Sequence, residues 1–261
     1  MRSLNIGATG MLAQQLNVEV ISNNIANMNT TGYKQHRAEF QDLLYQNLRR
    51  VGSGSSDAGT IVPTGVQLGL GVKSAAVYRI SGQGNILQTE NPLDLAINGR
   101  GFLQVELPSG ETAYTRAGSL QLSPDGDIVT ADGYVVQPGI TIPTDAVSVS
   151  VNESGEVYVD LDGQVAPVLV GQFELANFAN EAGLDAIGQN LLMETAASGN
   201  ASVATPGSAG FGLMIQGALE TSNVNVVSEI TNLITAQRAY EMNSKVIESS
   251  DEMMRTVTQL R

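Results

Sequence analysis

Apolar side chains recur every three or four residues along the N-terminal part of the chain. One stripe consists of Leu4, Met11, Val18 and Ile25, with Gly7, Gln14, Ile21 and Met28 between them. This heptad-like spacing predicts an amphipathic helix that ends between Asn27 and Thr31, with Gly32 in the left-handed conformation that stops it. Gly7 and Gly10 each weaken a helix by about 1 kcal/mol. They are either weak points or places where another helix comes close, and we favour close approach.

The next two segments have weaker patterns. A second, short helix is predicted from 35 to 49, with Phe40, Leu43, Leu44 and Leu48 on one side. From 49 to 73 the chain is rich in Gly and Ser and loses all periodicity. Such a segment is either a flexible linker or an extended arm that docks on a neighbour. Its apolar residues favour the arm: Ile61, Val62, Val66 and Leu68.

Residues 91–195 change to short apolar runs separated by Asn-Gly, Ser-Gly and Asp-Gly steps. Turn signals at such short intervals predict antiparallel β-hairpins. We therefore expect a small all-β domain of sandwich or barrel type in the middle of the chain.

A helical pattern returns from about Glu220 to the C-terminus. One stripe consists of Val226, Ile230, Leu233, Gln237, Tyr240, Ser244, Ile247, Asp251 and Met254. A neighbouring stripe consists of Val227, Ile234, Val246, Met253, Val257 and Leu260. Residues 221–225 supply Ser and Asn as helix caps. Because both chain ends carry amphipathic stripes, we expect the two helices to pair as a coiled coil.

The predicted fold class is therefore α+β, with terminal helices around a central antiparallel β domain. We expect three parts. Residues 1–45 with 221–261 form a terminal helical domain, 46–90 with 196–220 form an extended arm and connecting β region, and 91–195 form the central β domain.

Charge is distributed unevenly along the chain, whose formal net charge is −13. Residues 91–200 hold only Arg100 and Arg116 against fifteen acidic residues, whereas the two ends are close to neutral. This argues against nucleic-acid binding, which needs a basic surface. The chain has no Cys, which excludes disulfides and thiolate zinc sites. We see no apolar run long enough to span a membrane and no cleavable signal peptide.

Catalytic and ligand-binding readings find little support. The segment "GVQLGLGVKS" (65–74) lacks the spacing of a phosphate loop, and "SPDGD" (123–127) and "DLDG" (160–163) read as turns. The single histidine, His36, is read as a surface residue, and nothing pairs the acidic residues as a glycosidase would need. We expect no catalytic residue, no cofactor and no metal.

The helical stripes are wider than one partner helix can cover, so we expect self-assembly through them. The alternative is an intramolecular hairpin that caps the β domain. In the assembly, polar residues within the seam would fix its register. They are Asn23, Asn24, Asn27, Asn223, Asn225, Gln237 and Asn243.

Three segments resemble the signatures of bacterial flagellar rod and hook proteins. "NNIANMNTTGYK" (23–34) is similar to the N-terminal signature, "AYTRAGSLQLSPDGDIVTADGYVVQ" (113–137) to the central motif, and the segment 221–254 to the C-terminal signature. The chain length and the stretch 46–66 resemble the distal-rod type of that family. A proximal rod or hook protein is the alternative within the family, and a monomeric acidic β adhesin or binding module is the alternative outside it.

The resemblance implies a structural subunit that polymerises into a rigid hollow helical tube, a drive shaft that carries torque to the hook and allows export through its channel. It implies location in the flagellar basal body, in the rod that spans the periplasm towards the outer membrane. Export would occur without a cleaved signal peptide. The implied partners are other copies of the chain, proximal rod proteins, hook protein, L- and P-ring proteins and the type III export apparatus, with no nucleic acid and no membrane insertion.

Two sets of residues carry this reading. The expected self-assembly residues are Leu4, Met11, Val18, Ile21, Ile25, Asn23, Asn24, Asn27, Ile230, Leu233, Ile234, Gln237, Tyr240, Asn243, Ile247 and Met254. The expected inter-subunit arm contains Gln46, Arg49, Arg50, Ile61, Val62, Pro63 and Val66.

Overall fold

The structure is a computed structural model that describes residues 2–49, 64–163 and 166–259. These residues divide into two compact units. The terminal unit comprises the described parts of Met1–Ile25, His36–Tyr78 and Val226–Arg261. The central unit comprises the described parts of Ala26–Gln35 and Arg79–Asn225. An N-terminal helix, a central β-rich region and a C-terminal helix confirm the predicted α+β class.

Two helices contact each other in the terminal unit, α1 (Arg2–Ala26) and α2 (Val226–Gln259). A Cβ added at Gly7 would lie 2.9 Å from Cγ1 of Ile247, and one added at Gly10 would lie 2.9 Å from Nδ2 of Asn243. Close approach is therefore the correct reading of both glycines. The helices are antiparallel, because the later glycine in α1, Gly10, faces the earlier residue of α2, Asn243.

The helix α1 ends at Ala26, one residue before the predicted range. Gly32 has the expected positive φ of 69°, but it lies in a later turn rather than at the helix terminus. A Cβ at Gly32 would lie 2.8 Å from the carbonyl carbon of Arg116, so this position needs glycine for close packing as well as for its φ.

The predicted helix from 35 to 49 is wrong. The segment forms β1 (His36–Asp42) and β2 (Tyr45–Arg49). These strands pair with two later ones, β3 (Val66–Gly69) and β4 (Val72–Arg79), in the orders β2–β3 and β1–β4. The apolar spacing at 40–48 also fits a helix, but pairing with distant strands satisfies the backbone and overrides local preference.

The central unit confirms the predicted antiparallel β structure. Its strands are β5 (Ile86–Gln88), β6 (Leu95–Asn98), β7 (Phe102–Glu106), β8 (Thr112–Thr115), β9 (Leu120–Leu122), β10 (Ile128–Thr130), β11 (Ala146–Val151), β12 (Glu156–Leu161), β13 (Val168–Gln172), β14 (Leu175–Asn177), β15 (Asp185–Gly188), β16 (Leu191–Met193), β17 (Ser202–Ala204), β18 (Leu213–Gln216) and β19 (Ala218–Glu220). A 3₁₀ turn spans Glu181–Gly183.

These strands form one six-stranded sheet in the order β15-β16-β8-β7-β14-β17 and one three-stranded sheet in the order β11-β12-β13. Three further antiparallel pairs are β9 with β10, β6 with β18 and β5 with β19. The last two pairs bring the end of the central unit back beside its beginning.

The core of the central unit is built mainly from aliphatic side chains. Its fully buried members include Leu103, Val105, Val157, Val159, Phe173 and Leu175. A smaller cluster contains the rings of Phe102, Tyr114 and Phe178, and the Tyr114 and Phe178 centroids lie 4.8 Å apart in an edge-on arrangement.

Candidate assembly surface and buried ion cluster

The C-terminal helix α2 turns its smallest and most polar side chains towards the inside of its unit. Its buried residues are Glu229, Ala236 and Ser250, whereas Val227 is 76% exposed and Met253 is 61% exposed. Leu233, Ile247 and Met254 are half-buried, so α2 has a partly covered apolar side as well. The large apolar side chains that remain exposed are available for contacts outside the chain.

The exposed apolar residues of α2 form two flanks. The first, in the N-terminal half, contains Val227, Ile230 and Ile234, and the second, in the C-terminal half, contains Met242, Val246 and Met253. At 3.6 residues per turn, the two flanks lie roughly 100° apart around the helix. The helix thus presents apolar surface in two directions, as a helix packed between several neighbours would.

The expected self-assembly residues fall into three groups in the single chain. Ile21 and Asn24 are buried. The half-buried residues are Leu4, Met11, Val18, Ile25, Asn27, Leu233, Asn243, Ile247 and Met254. The exposed residues are Asn23, Ile230, Ile234, Gln237 and Tyr240.

A groove of ≈ 360 Å³ lies between the two helices. It is lined by Gln15, Val18, Glu19, Gln237, Tyr240 and Glu241. Three of the expected self-assembly residues therefore meet in one concave surface, where a side chain from another molecule can insert.

The described part of the expected arm is an exposed hairpin. Strand β2 pairs antiparallel with β3, with Gln46 opposite Leu68 and Arg49 opposite Val66. Every residue of β2 is exposed, including the large side chain of Leu48. The expected arm residues Arg50, Ile61, Val62 and Pro63 lie outside the described residues.

A buried ion cluster, defined here as Lys34, Arg116 and Glu220, lies in the central unit. Arg116 Nε donates to Glu220 Oε2 at 2.5 Å, and Lys34 Nζ donates to Glu220 Oε1 at 2.7 Å. The backbone N–H of Gly84 also donates to Oε1 at 2.8 Å. Glu220 is 1% exposed, so its charge is compensated by these three donors rather than by water.

The guanidinium of Arg116 is held by backbone oxygens as well. It donates to the carbonyls of Ile97 at 3.2 Å, Gly99 at 2.5 Å and Gly101 at 2.7 Å. The planar fork of arginine suits such multiple donation. The backbone around β6 and β7 thus holds Arg116 independently of Lys34 and Glu220.

Burial and charge shift the pKa of two members of the ion cluster. Burial acts to raise the pKa of Glu220, but the charge of Arg116 and the hydrogen bonds from Lys34, Arg116 and Gly84 outweigh it, so the pKa lies below the usual 4.5. Burial lowers the pKa of Lys34 more than its hydrogen bond to Glu220 raises it, and the charge of Arg116 lowers it further. Arg116 is accordingly the main counter-ion of Glu220.

Sequence reasoning missed the ion cluster. Its members are separated by 104 and 186 positions, and no local pattern joins them. One signal was present, because Arg116 is one of only two basic residues in the strongly acidic stretch 91–200. A basic residue in so acidic a stretch indicates a specific ionic partner.

Among residues 2–49, 64–163 and 166–259, no group of three or more His, Cys, Asp or Glu residues is arranged to hold a metal ion. Neither described helix is both long and apolar enough to cross a membrane.

Three family models match the chain. A model described as flagella basal body rod protein matches residues 4–34, one described as flagellar hook protein FlgE/F/G D1 domain matches 96–159, and one described as flagellar basal body rod FlgEFG protein C-terminal matches 215–260. Each matched range contains one member of the ion cluster: Lys34, Arg116 and Glu220 respectively.

Full-length relatives are also similar. The chain is 62% identical over 261 residues, with 100% of both chains covered, to the flagellar basal-body rod protein FlgG of Caulobacter vibrioides. It is 52% identical over 258 residues to FlgG of Agrobacterium fabrum, covering 99% of this chain and 98% of the relative. It is 42% identical over 268 residues to FlgG of Bacillus subtilis, covering 100% and 99%. These relatives are rod proteins, and the matching models indicate no catalytic family.

Proposed function

Because this chain belongs to the flagellar basal-body rod protein FlgG family, and is thus a structural subunit of the basal-body rod, we propose that its copies polymerise through their terminal helices. The product is a rigid, hollow helical tube that transmits torque to the hook and leaves a channel for export. The single observation that carries this proposal is the pair of exposed apolar flanks on α2.

The exposed apolar side chains of α2 favour assembly energetically. Burying one large aliphatic side chain contributes about 1.5–3 kcal/mol relative to leaving it in water. Several such side chains on α2 stay exposed in the single chain, among them Ile230 and Ile234. Neighbouring copies in a tube supply the apolar surface that would cover both flanks.

We further propose that α1 and α2 pack as coiled-coil layers in the tube. The seam of α1 contains Leu4, Met11, Val18 and Ile25, and polar residues beside it fix one register, as single polar seam residues do in coiled coils. Of these polar residues, Gln237 is exposed in the single chain and lines the groove between the helices.

The β2–β3 hairpin is the base of the proposed inter-subunit arm. Its exposed residues Gln46, Arg49 and Val66 would contact neighbouring copies and stiffen the tube. In this assembly 1–45 with 221–261 form the terminal helical domain, 46–90 with 196–220 form the extended arm and connecting β region, and 91–195 form the central β domain. The acidic charge of the central β domain favours solubility of the polymer.

The remaining parts of the proposal concern partners. We place proximal rod proteins and hook protein at the two ends of the tube, L- and P-ring proteins around it, and the type III export apparatus upstream of it. The subunit has no catalytic role, binds no cofactor or nucleic acid and does not insert into a membrane.

A charge placed on the first flank tests the proposal. The variant Ile234→Asp should abolish polymerisation and motility while the central β domain stays folded, because a carboxylate at an apolar helix contact is strongly unfavourable. The matched control is Ile234→Leu, which keeps the apolar surface and should polymerise. Normal motility with Ile234→Asp would sink the proposal.

A further inference from the structure

Two chain segments that are far apart in sequence meet at the ion cluster. We call residues 27–35 the entry segment and residues 217–225 the return segment; the first carries Lys34 and the second carries Glu220. Both lie in the central unit, together with Arg116. The two segments have different bonding partners in the central unit, and these partners bear on which segment docks first.

The return segment is attached to the central strands by bonds that do not involve the entry segment. Strand β19 pairs with β5, and the N–H of Gly217 donates to the carbonyl of Asp94 at 2.8 Å. The N–H of Thr221 donates to the carbonyl of Asn85 at 2.8 Å. Glu220 completes this attachment through Arg116, whose guanidinium is already held by backbone oxygens.

The entry segment has several of its bonds with the return segment, and Lys34 Nζ also donates to the carbonyl of Gly82 at 3.0 Å. The N–H of Gly32 donates to the carbonyl of Glu220 at 2.9 Å, and the N–H of Gln35 donates to Oδ1 of Asn223 at 2.7 Å. Lys34 Nζ donates to the Glu220 carboxylate at 2.7 Å. The side-chain amide of Asn223 also donates to the carbonyls of Ile80 at 3.0 Å and Gly82 at 2.9 Å, so it joins three stretches of chain.

The charges of the ion cluster favour docking of the entry segment only where Glu220 is already in place. The side chains of Lys34 and Arg116 are 11% and 8% exposed, and both contact the same carboxylate. Without Glu220, docking of the entry segment would bury an ammonium close to a guanidinium with no counter-charge between them. Removing one partner of a buried ion pair is strongly destabilising because the other charge stays buried.

We infer that the ion cluster imposes an order on the joining of the chain ends: the return segment docks on the central strands first, and only then does the entry segment have a place to dock. The device couples a late segment of the chain to an early one, so residues 27–35 do not dock until residues 217–225 are in place. It concerns one molecule and stands whether or not copies polymerise.

Site-resolved amide hydrogen exchange on the full-length monomer tests this order. The amides of Gly32, Gln35 and Ile80 report docking of the entry segment, since Ile80 donates to the carbonyl of Gln35 at 2.8 Å. The amides of Gly217 and Thr221 report docking of the return segment. In Lys34→Gln, the first group should exchange roughly tenfold faster or more, as expected for loss of a buried charge-assisted hydrogen bond, while the second group stays unchanged.

The reverse variant, Glu220→Gln, should accelerate exchange in both groups, and adding Lys34→Gln to it should have little further effect. The control is Arg100→Gln, which removes an exposed ion pair of the same unit with Glu181 and should change neither group. Two results would overturn the inference. One is equal acceleration of both groups in Lys34→Gln, which would mean mutual docking without order. The other is an entry segment that stays protected in Glu220→Gln. If Glu220→Gln does not fold, the Lys34→Gln result alone decides.

Discussion

Asn24 of α1 donates a hydrogen bond of 3.1 Å from its side-chain amide to the carboxylate of Glu229 of α2, across 205 positions of sequence. The residues are 1% and 2% exposed. The same Asn24 amide donates to the carbonyl of His36 and accepts from its N–H, both at 2.8 Å. One side chain therefore joins the helix pair to the start of β1, which gives a structural reason for an asparagine in the apolar stripe of a helix.

Removing this amide should destabilise the helix pair. We expect Asn24→Ala to lower the free energy of unfolding of the terminal unit by about 1–3 kcal/mol, because the buried Glu229 carboxylate loses a donor. Thermal unfolding followed by helical circular dichroism measures the effect. The control, Ser22→Ala, changes an exposed residue of the same helix and should have almost no effect. Equal stability of the two variants would rule out a structural role for the Asn24–Glu229 bond.

The two glycines that approach α2 should differ in their tolerance of alanine. A Cβ at Gly7 meets Cγ1 of Ile247, near the stem of a branched side chain, whereas a Cβ at Gly10 meets the amide of Asn243 at the end of its side chain. We expect Gly7→Ala to cost about 1–3 kcal/mol through overpacking. Gly10→Ala should cost less, because the Asn243 amide lies at the end of a flexible side chain and can move aside, while the gain of about 1 kcal/mol in helix propensity is common to both variants.

The measurement is denaturant unfolding of both variants and of Gly7→Ala in an Ile247→Ala background, where the contacting Cγ1 is absent and Gly7→Ala should cost less. If Gly7→Ala is the more stable of the two single variants, the close contact with Ile247 does not constrain the pair.

Acid should destabilise the central unit in part through protonation of Glu220. The pKa of Glu220 is lower in the folded chain than its usual 4.5, so the unfolded state binds more protons in the range below 4.5. The stabilisation from Glu220 is therefore complete above pH 4.5 and is lost as the pH falls through the folded pKa.

Unfolding free energies measured between pH 7 and pH 3 check this expectation. Glu220→Gln should be less stable than the parent at neutral pH, and the difference should shrink as the pH falls below 4.5. The matched variant Glu111→Gln, at an exposed turn, should leave the pH profile unchanged. A difference that stays constant down to pH 3 would show that the carboxylate charge is not what Glu220 contributes.

The arm should affect the polymer and not the subunit. We expect deletion of 49–62 to leave the unfolding free energy of the monomer unchanged and to give rods that bend or assemble poorly. Electron microscopy of the rods and thermal unfolding of the monomer measure the two effects. A deletion that unfolds the monomer would place the segment in the core instead.

The sequence predicted the repeating elements well. The stripe through Leu4 and Ile25 identified α1, and the Asp-Gly and Ser-Gly steps identified the antiparallel hairpins, because both signals are local and periodic. The helix predicted at 35–49 failed because β1 and β2 obtain their backbone partners from the later strands β4 and β3, and local spacing carries no information about such pairing.

The candidate site divides in the same way. Ile230 and Ile234 were chosen from their spacing, and both are exposed on the first flank of α2. The ion cluster could not be found by spacing, because Lys34, Arg116 and Glu220 come together only when three separate segments have folded. Its members also have no unusual local sequence, apart from the rarity of cations around Arg116.

Segment-resolved hydrogen exchange, compared between the dilute monomer and assembled rods, tests the central claim most directly. The claim is that the terminal helices rely on neighbouring copies, since α2 leaves several large apolar side chains exposed in the single chain, among them Val227, Met242 and Met253. We therefore predict fast exchange in α1 and α2 of the monomer, protected central strands, and strong protection of both helices after assembly. Helices that exchange as slowly as β7 and β14 in the dilute monomer, with no change in rods, would contradict the account.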